Sequence, residues 1–454
     1  MPKYFVFLGL VEAALFFVSI YLGVALRFWG EEELPPGIEP IFFKATLFML
    51  LMVSINTAMG LYQRQLREGF SGMLLRLGAG FLLGFALMSL IFYAFPSMFL
   101  GRGAFGIALF FAFICVVAAR AIFFKLVDQD ALQRRVLVLG AGARAKSINE
   151  RLRRKLDRRG FVVVGYVSMG GEELVERSNI IHADTTLLEI SKRYDAHEIV
   201  EALDDRRKAF PVHEILDCRM SGIEVIDLLT FFERQRGKVM LDIMHPSWMV
   251  FSDGFRFGAF RVYSKRVIDI VAALLLLAVT WPIMLLTALA ILFEDSGPIF
   301  YRQVRVGQNW KLFQVIKFRS MRVDAEAQDG AQWALENDNR ITRVGDFIRK
   351  VRIDELPQIF NVLKGEMSFV GPRPERPEFV EQLSASIPYY AERHRVKPGI
   401  TGWAQICYPY GASEQDSYEK LQYDLYYVKN YSLLLDLMIV FQTSPVIFWR
   451  QGSR

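Results

Sequence analysis

Four long apolar segments near the start of the chain constrain its fold more than any other feature. They cover residues 4–26, 41–61, 73–95 and 104–124, and each approaches the roughly 20 residues that an α-helix needs to cross a bilayer. They explain why 53% of the 454 residues are apolar and why 38 are phenylalanine. The first segment is long and is followed by three similar ones, which favours a retained helix over a signal peptide. The sequence therefore predicts a membrane protein with an N-terminal four-helix transmembrane bundle over residues 1–128.

The basic residues between these segments predict their orientation. Lys3 precedes the first segment, Arg64 and Arg67 follow the second, and Lys125 closes the fourth, whereas the loop after the first segment carries glutamates at residues 31–33. Cytoplasmic loops of membrane proteins are enriched in Lys and Arg. Both the N-terminus and everything after residue 125 are therefore expected in the cytoplasm.

The middle of the chain, residues 129–250, alternates between predicted strands and helices. An apolar strand in "RRVLVLGAGARA", residues 134–145, leads into a Gly-rich turn that opens a helix, and a second strand follows at residues 160–167. This alternation is typical of a parallel sheet with helices on both faces. We predict a Rossmann-like α/β domain of the CoA-binding-like kind.

The Gly-rich turn of this domain has the form Gly140-x-Gly142-x-x-Ala145. That spacing is similar to a dinucleotide fingerprint, but Val167 and Ser168 stand where an acidic ribose partner is expected. We therefore predict that the domain does not use NAD. A nucleotide-binding role and a structural or regulatory role both stay open on the sequence alone.

A fifth apolar segment lies further along the chain. Residues 267–293 amount to roughly 40 Å of helix at about 1.5 Å per residue, which is enough to span a bilayer. However, Pro282 removes a backbone hydrogen bond in its middle, and basic residues such as Lys265 and Arg302 flank both ends. A helix-break-helix that enters and leaves on the cytoplasmic side satisfies both features, so we predict a re-entrant helix over about 266–294. The alternative is a kinked fifth span.

Two adjacent carboxylates lie within "IRKVRIDELPQIFNVLKGEMSFVGPRPE", residues 348–375. Asp354 is predicted to begin a short helix that ends at Gly365, with Glu355 and Pro357 in its first turn. The positive end of that helix and the preceding basic residues would stabilise anions, including a phosphate. An Asp-Glu pair in a first turn is also ordinary helix capping, so the pair alone does not establish a site.

Five motifs within residues 258–454 resemble the bacterial sugar transferase domain of the monotopic phosphoglycosyl transferases, the polyprenyl-phosphate hexose-1-phosphate transferases. They are "KRVIDIV", "GPIFYRQVRVGQNWKLFQVIKFRSM", "RKVRIDELPQIFNVLKGEMSFVGPRPE", "KPGITGWAQI" and "YDLYYVKNYSLLLDLMIV". The order of four spans, a Rossmann-like module and this domain resembles the large members of the family over almost the whole chain. The resemblance implies a C-terminal, mainly helical catalytic domain that carries the re-entrant helix. One departure is Trp281-Pro282, where small members have a Ser-Pro pair.

The activity that this resemblance implies is transfer of a sugar-1-phosphate from a UDP-sugar to undecaprenyl phosphate, with release of UMP. This is the initiating step of exopolysaccharide, capsule or O-antigen synthesis, on the cytoplasmic side of a bacterial inner membrane. Asp354 would attack the phosphorus and carry the phosphosugar as an acyl phosphate, and Asp354 and Glu355 would hold Mg²⁺. Asp424 also suits a helix cap or a core partner. The implied substrate-binding residues are Lys317, Arg319, Arg349, Arg373, Gln358 and Asp424.

Two other functions stay open on the sequence. A membrane-anchored nucleotide-sugar dehydratase or epimerase would need a complete dinucleotide site and typically a Tyr-x-x-x-Lys pair, yet no Tyr of this chain is followed by Lys four positions on. A non-catalytic scaffold for polysaccharide assembly is the second alternative. The basic run at residues 151–159 lacks interleaved aromatic residues, which favours a solvated face or anionic lipid over nucleic acid. A homodimer is compatible with the sequence, which identifies neither the sugar nor the pathway.

Overall fold

The computed structural model describes residues 3–31, 35, 38–62, 69–126, 133–153, 158, 160–170, 172–205, 210–252, 254–255, 258–295, 297–322, 340–408, 411 and 413–448. Its chain divides into two compact units, Met1–Phe231 and Phe232–Arg454. Arg64 and Arg67, used for the orientation prediction, lie outside the described residues, as do residues 154–157 and 159 of the basic run.

The four N-terminal apolar segments are helices. Their bounds are α1 Lys3–Arg27, α2 Ile41–Ala58, α3 Gly69–Ala94 and α4 Arg102–Leu126. All four are long and apolar enough to cross a membrane, and a fifth such helix lies in the second unit. By length and composition, these helices mark the chain as a membrane protein.

A buried ion pair joins α1 to α4. Nε of Arg120 lies 2.6 Å from the carboxylate of Glu12, which also accepts a 2.6 Å hydrogen bond from the hydroxyl of Tyr62. The side chains of Glu12 and Arg120 are fully buried. Because an unpaired charge in an apolar bundle is strongly destabilising, this network fixes how the two helices align.

A parallel sheet of five strands follows these helices. The strands are β1 Arg134–Leu139, β2 Phe161–Ser168, β3 Ile180–His182, β4 Glu198–Glu201 and β5 Glu224–Asp227. The connecting helices are α5 Ala143–Arg151, α6 Leu187–Arg193 and α7 Val212–Met220. The strand order is β3-β2-β1-β4-β5 with every neighbouring pair parallel. The predicted α/β domain is thus confirmed, with β1 and β4 adjacent at its centre.

The second unit is mainly helical. Its helices are α8 Leu228–Arg236, which straddles the division, α9 Pro246–Phe251, α10 Ala259–Glu294, α11 Arg343–Lys350, α12 Gln358–Lys364, α13 Pro377–Ser386, α14 Trp403–Cys407, α15 Glu414–Asn430 and α16 Leu433–Phe448. Its strands are β6 Phe300–Val306, β7 Leu312–Phe318, β8 Ser368–Val370 and β9 Gly399–Thr401. Strands β6 and β7 form an antiparallel hairpin, and β8 and β9 pair in parallel.

The start of the second unit, residues 232–250, packs on helices near the end of the chain. The indole nitrogen of Trp403 donates to the carbonyl of Gly237 at 2.7 Å. Lys429 on α15 forms a buried 2.6 Å ion pair with Glu233. Such long-range polar pairs leave no local signal in the sequence.

Helix α10 runs without interruption over 36 residues with Pro282 in its interior, so the two predicted halves form a single helix at a position where proline bends the backbone. Its buried positions are Lys265, Asp269, Ala273, Thr280, Met284, Thr287 and Ile291. Ala273 packs with Ile359 before the proline, and Met284 packs with Phe318 after it. Packing of both halves on one domain offsets the roughly 3 kcal/mol that proline costs inside a helix.

Candidate active site

The two adjacent carboxylates Asp354 and Glu355 lie in a short 3-10 turn that begins at Ile353, not in the first turn of an α-helix as predicted. Pro357 gives the physical reason, because it has no N–H to donate four residues back. The carbonyl of Ile353 instead accepts from the amide of Leu356 at 3.1 Å, the spacing of a 3-10 helix. The carboxylates are therefore fixed ahead of the helix.

Two residues, one before this turn and one after it, have the left-handed backbone conformation. Arg352, with a φ of +61°, turns the chain after α11. Helix α12 begins at Gln358 and ends at Gly365, whose φ is +86°. The predicted glycine stop is confirmed, since this conformation favours glycine. The dyad is thus held between two short helices by a tight turn.

Three cationic side chains surround the carboxylate of Glu355. One oxygen lies 3.0 Å from Nζ of Lys317, 3.6 Å from Arg373 and 3.7 Å from Arg352. The side chain is 13% exposed, and burial alone would raise its pKa. Lys317, Arg373 and Arg352 together lower the pKa of Glu355 to about 2. Glu355 is therefore ionised throughout the physiological pH range.

Asp354 is in a different electrostatic environment although it is the next residue. Burial, followed by the adjacent Glu355 carboxylate, raises the pKa of Asp354 above its ordinary value, while Lys317 and Arg352 partly oppose the shift. Two neighbouring carboxylates whose environments move their pKa values apart are suited to different roles. Glu355 is the stabilised anion of the pair and Asp354 the less stabilised, more basic one.

A cavity opens beside this turn. Glu355 lines it together with Lys317, Arg373 and Gln358, four of the eight predicted site residues. Arg305 is a further cation on the cavity wall and was not among the predicted site residues. The two-residue alternation of strand β6 could have indicated Arg305, because alternate residues of a strand share one face. Tyr301, Gln303 and Arg305 all line the cavity. The cavity is thus rich in positive charge.

Arg319 and Arg349 differ from the other predicted cations. Arg319 is buried and its Nη1 lies 3.3 Å from the carboxylate of Asp295, the residue that follows α10. Arg319 does not line the cavity.

Arg349 is near enough to Asp354 to lower the pKa of Asp354. Nη1 of Arg349 is buried and has no hydrogen-bond partner among the described residues. A buried, unsatisfied guanidinium nitrogen is costly, and a bound anion would satisfy it.

Asp424 does not line the cavity either, and it supports one of the residues that do. Its carboxylate lies 2.8 Å from Nη2 of Arg393, and both side chains are almost fully buried. The same nitrogen of Arg393 donates to the backbone carbonyl of Arg373 at 3.0 Å. Arg393 was not among the predicted site residues, and it precedes the "KPGITGWAQI" motif. Asp424 is a core partner that positions Arg373 through Arg393.

The resemblance implies a Mg²⁺ ion at the dyad. No group of three or more His, Cys, Asp or Glu side chains that could hold a metal occurs among the described residues. Mg²⁺ is commonly held by one or two carboxylates, with substrate phosphates and water completing its coordination. Asp354 and Glu355 fit that donor set, so the residues suit an ion that arrives with a diphosphate.

Comparison with known proteins gives two family matches. The sequence model of the bacterial sugar transferase family matches residues 260–450, which contain the whole cavity. A second model, described as a CoA-binding domain, matches residues 57–213. The two matches follow one another along the chain, in the same order as the α/β sheet and the cavity.

Curated relatives extend the similarity. The chain is 42% identical over 262 residues to a UDP-N-acetylgalactosamine-undecaprenyl-phosphate N-acetylgalactosaminephosphotransferase of Aeromonas hydrophila, covering 58% of this chain and 61% of the relative. It is 33% identical to an undecaprenyl-phosphate glucose phosphotransferase of Komagataeibacter xylinus, covering 69% and 58%. It is 30% identical to an uncharacterized sugar transferase of Haemophilus influenzae, covering 81% of both chains.

The share of each relative that the chain matches differs among the three. The chain matches 61% and 58% of the length of the Aeromonas and Komagataeibacter relatives, less than two thirds of either. The match to the Haemophilus relative covers most of both proteins, and the motifs, cavity and family match coincide in one domain. This chain belongs to the bacterial sugar transferase family.

Proposed function

We propose that this protein transfers a sugar-1-phosphate from a UDP-sugar to undecaprenyl phosphate and releases UMP. The observation that carries the proposal is a cationic cavity lined by Glu355, the residue after Asp354, with Glu355 in contact with Lys317, Arg352 and Arg373. Such a cavity suits a substrate with two adjacent phosphates. The printed names of the Aeromonas and Komagataeibacter relatives, both undecaprenyl-phosphate sugar phosphotransferases, support the same substrate class.

Asp354 is the proposed nucleophile. One carboxylate oxygen would form a bond to the sugar-bearing phosphorus while the bond from that phosphorus to the bridging oxygen breaks, and UMP leaves with the electron pair. A phosphosugar would remain on Asp354 as an acyl phosphate. An oxygen of the lipid phosphate would then attack the same phosphorus and free the carboxylate. The raised pKa of Asp354 supports this role, because a less stabilised carboxylate is a better nucleophile.

The cations around the pair have a separate task. An anionic nucleophile and a diphosphate repel each other, so positive charge must be in place before they meet. Lys317, Arg373 and Arg305 line the cavity, and Arg349 has a buried nitrogen suited to a phosphate oxygen. Mg²⁺ held by Asp354 and Glu355 would neutralise further phosphate charge when the substrate brings it. Glu355 also holds Lys317 and Arg373 in their positions.

The membrane arrangement that we propose keeps the catalytic domain at the cytoplasmic surface, with α1 to α4 crossing the bacterial inner membrane and α10 entering from the same side. Two contacts of α10 support the re-entrant arrangement. Arg261, near its start, donates to the carbonyl of Tyr431 at 2.8 Å, and Glu294, at its end, accepts from the amide of Val344 at 3.0 Å. A helix tied to one domain at both ends is poorly suited to crossing a bilayer.

The outward face of α10 supports membrane contact. Between Val267 and Phe293 its exposed side chains are apolar, and they include Leu275, Val279, Leu286 and Phe293, each more than half exposed. An apolar face of this length lies favourably in the acyl region. Since the phosphate of a polyprenyl phosphate stays at the headgroup level, a cavity beside this helix reaches it without extracting the lipid.

The test is UMP release by the purified full-length protein with undecaprenyl phosphate and a panel of UDP-sugars. We expect release with one or a few sugars, dependent on Mg²⁺ and abolished by EDTA. A dehydratase or epimerase would alter the sugar without releasing UMP, and a scaffold would do neither. The sugar that is accepted would then point to an exopolysaccharide, capsule or O-antigen pathway.

The covalent step has its own test. UDP-sugar supplied without lipid should leave a phosphosugar on Asp354 that is seen by mass spectrometry, and initial-rate lines for the two substrates should be parallel. Asp354→Asn removes the proposed nucleophile and should give no adduct. Its matched control is Asp346→Asn, because Asp346 is an exposed carboxylate on α11 paired with Lys350. Intersecting lines together with no adduct would contradict the two-step scheme and favour direct transfer.

A further inference from the structure

The Gly-rich loop of the α/β sheet lies where such folds bind ligands. The loop follows β1 and opens α5, and β1 pairs directly with β4. In the order β3-β2-β1-β4-β5, the chain changes direction between β1 and β4. In open parallel sheets the crevice at such a switch point, beyond the carboxyl ends of the strands, is the usual ligand site. The first amides of the following helix would bind the phosphates there.

Asp204 fills this position with a carboxylate from the protein itself. It follows β4 and reaches across the crevice to the start of α5. One carboxylate oxygen accepts from the amide of Ala143 at 2.9 Å, and the other accepts from the amide of Arg144 at 2.8 Å. These two amides begin the helix and are the donors that a phosphate would need. Asp204 therefore supplies the negative charge that the helix N-terminus favours.

The glycines of the loop serve this internal contact. A Cβ on Gly142 would lie 1.9 Å from the carboxylate of Asp204, and a Cβ on Gly140 would lie 2.7 Å from the carbonyl of Ala202. The amide of Leu174 donates to the carbonyl of Ala141 at 2.8 Å. The small residues that let a pyrophosphate approach in a dinucleotide site here let two segments of the same chain approach.

The position where a dinucleotide ribose would lie, at the end of β2, also makes a contact within the chain. The hydroxyl of Ser168, the last residue of β2, donates to the carboxylate of Glu173 at 2.6 Å. A diphosphate at the loop would have to displace the carboxylate of Asp204. The negative charge of the diphosphate would also be repelled by that carboxylate. CoA and NAD both carry a diphosphate, so the residues present do not fit either ligand.

We infer that Asp204 permanently occupies the phosphate position of this domain, which binds neither CoA nor a dinucleotide and serves as a structural module. This inference is independent of the proposed transferase activity. On this inference the sequence match to a CoA-binding domain reflects a shared fold and not a bound ligand.

The first test measures amide hydrogen exchange in the full-length protein, over residues 141–148. Asp204→Ala removes both hydrogen bonds, and we expect exchange there about three- to thirty-fold faster, the size of a lost helix cap. Asp204→Asn keeps one acceptor oxygen and should give a smaller change. Asp217→Asn, on an exposed position of α7, is the matched control and should change nothing at the loop. Unchanged exchange in both Asp204 variants would overturn the inference.

A double-mutant cycle tests whether Gly142 is required because of Asp204. The backbone of Gly142, with φ −88° and ψ −152°, is open to other residues, so alanine there is opposed mainly by the carboxylate. Gly142→Ala should raise exchange as much as Asp204→Ala, and the double variant should match Asp204→Ala alone. Additive effects would show that the glycine serves something else.

Ligand binding is tested by equilibrium dialysis of the wild-type protein against CoA, NAD and ADP. We expect no retention of any of the three. Stoichiometric retention of one of them, with loss on Gly142→Ala, would overturn the inference whatever the transferase assay gives.

Discussion

The guanidinium of Arg393 joins the buried carboxylate of Asp424 to the backbone of Arg373. It lies 2.8 Å from Asp424 and donates to the Arg373 carbonyl at 3.0 Å, while another nitrogen donates to the hydroxyl of Tyr390 at 2.8 Å. Arg373 is in turn within 3.6 Å of Glu355. A residue outside the cavity thereby controls the position of a residue that lines it.

Asp424→Asn should lower kcat/KM by roughly tenfold to a hundredfold, because small displacements of positioning groups are costly in catalysis. The change keeps the shape of the side chain and removes the charge that holds Arg393. Kinetics of UMP release give the measurement. If Asp424 acts through Arg373, Arg373→Ala combined with Asp424→Asn should be no slower than Arg373→Ala alone; multiplied losses would indicate general destabilisation instead.

Asp354→Asn and Glu355→Gln should both abolish most activity but change stability in opposite directions. The raised pKa of Asp354 means that its charge opposes folding at pH 7, so asparagine should slightly raise the thermal midpoint. The pKa of Glu355 is lowered to about 2, so its charge stabilises the fold above pH 4–5 and glutamine removes up to about 3 kcal/mol. Thermal unfolding in EDTA measures both, and shifts of the same sign would contradict this electrostatic account.

Single cysteines at Gln308 and Ser413 should resist a membrane-impermeant thiol reagent applied to intact cells. Both residues lie in the domain that we propose to be cytoplasmic, because both flanks of α10 are basic. A cysteine at Glu31, in the loop after α1, is the positive control and should be labelled from outside. Labelling of Gln308 and Ser413 in intact cells would mean that α10 crosses the membrane.

His394 should make the protein less stable in mild acid. Burial, followed by Arg393, lowers the pKa of His394 to about 3, and the ring lies 5.1 Å from that of Trp310. Its neutral form is therefore held in the fold while the unfolded chain takes up a proton below about pH 6.5. The stabilisation is complete above that pH and declines by up to about 1.4 kcal/mol per pH unit as the pH falls toward 3.

The comparison for this pH effect is His394→Gln. The variant lacks a titratable ring, so its thermal midpoint should fall less than that of the wild type between pH 7 and pH 5.5. Equal acid sensitivity in the two proteins would exclude His394 as the cause.

The sequence alone determined the elements whose causes are local. Apolar segments of about 20 residues have one favourable solvent, the bilayer, and strand-helix alternation with a Gly-rich turn has few packed solutions other than a parallel sheet. The dyad Asp354-Glu355 and the glycine stop at Gly365 were likewise visible in the motif. Four of the predicted site residues, including Lys317, line one cavity.

Only the tertiary structure decided what depends on contacts between distant residues. Arg319 and Asp424 match the motif pattern, but their charges are paired with Asp295 and Arg393, and a spacing cannot reveal a partner that lies far along the chain. The same holds for the crevice of the α/β domain, where the Gly-rich loop has a familiar spacing and Asp204 binds its amides. Hydrogen bonds and charge pairs form between surfaces that folding brings together, so their partners are set by the fold and not by local sequence.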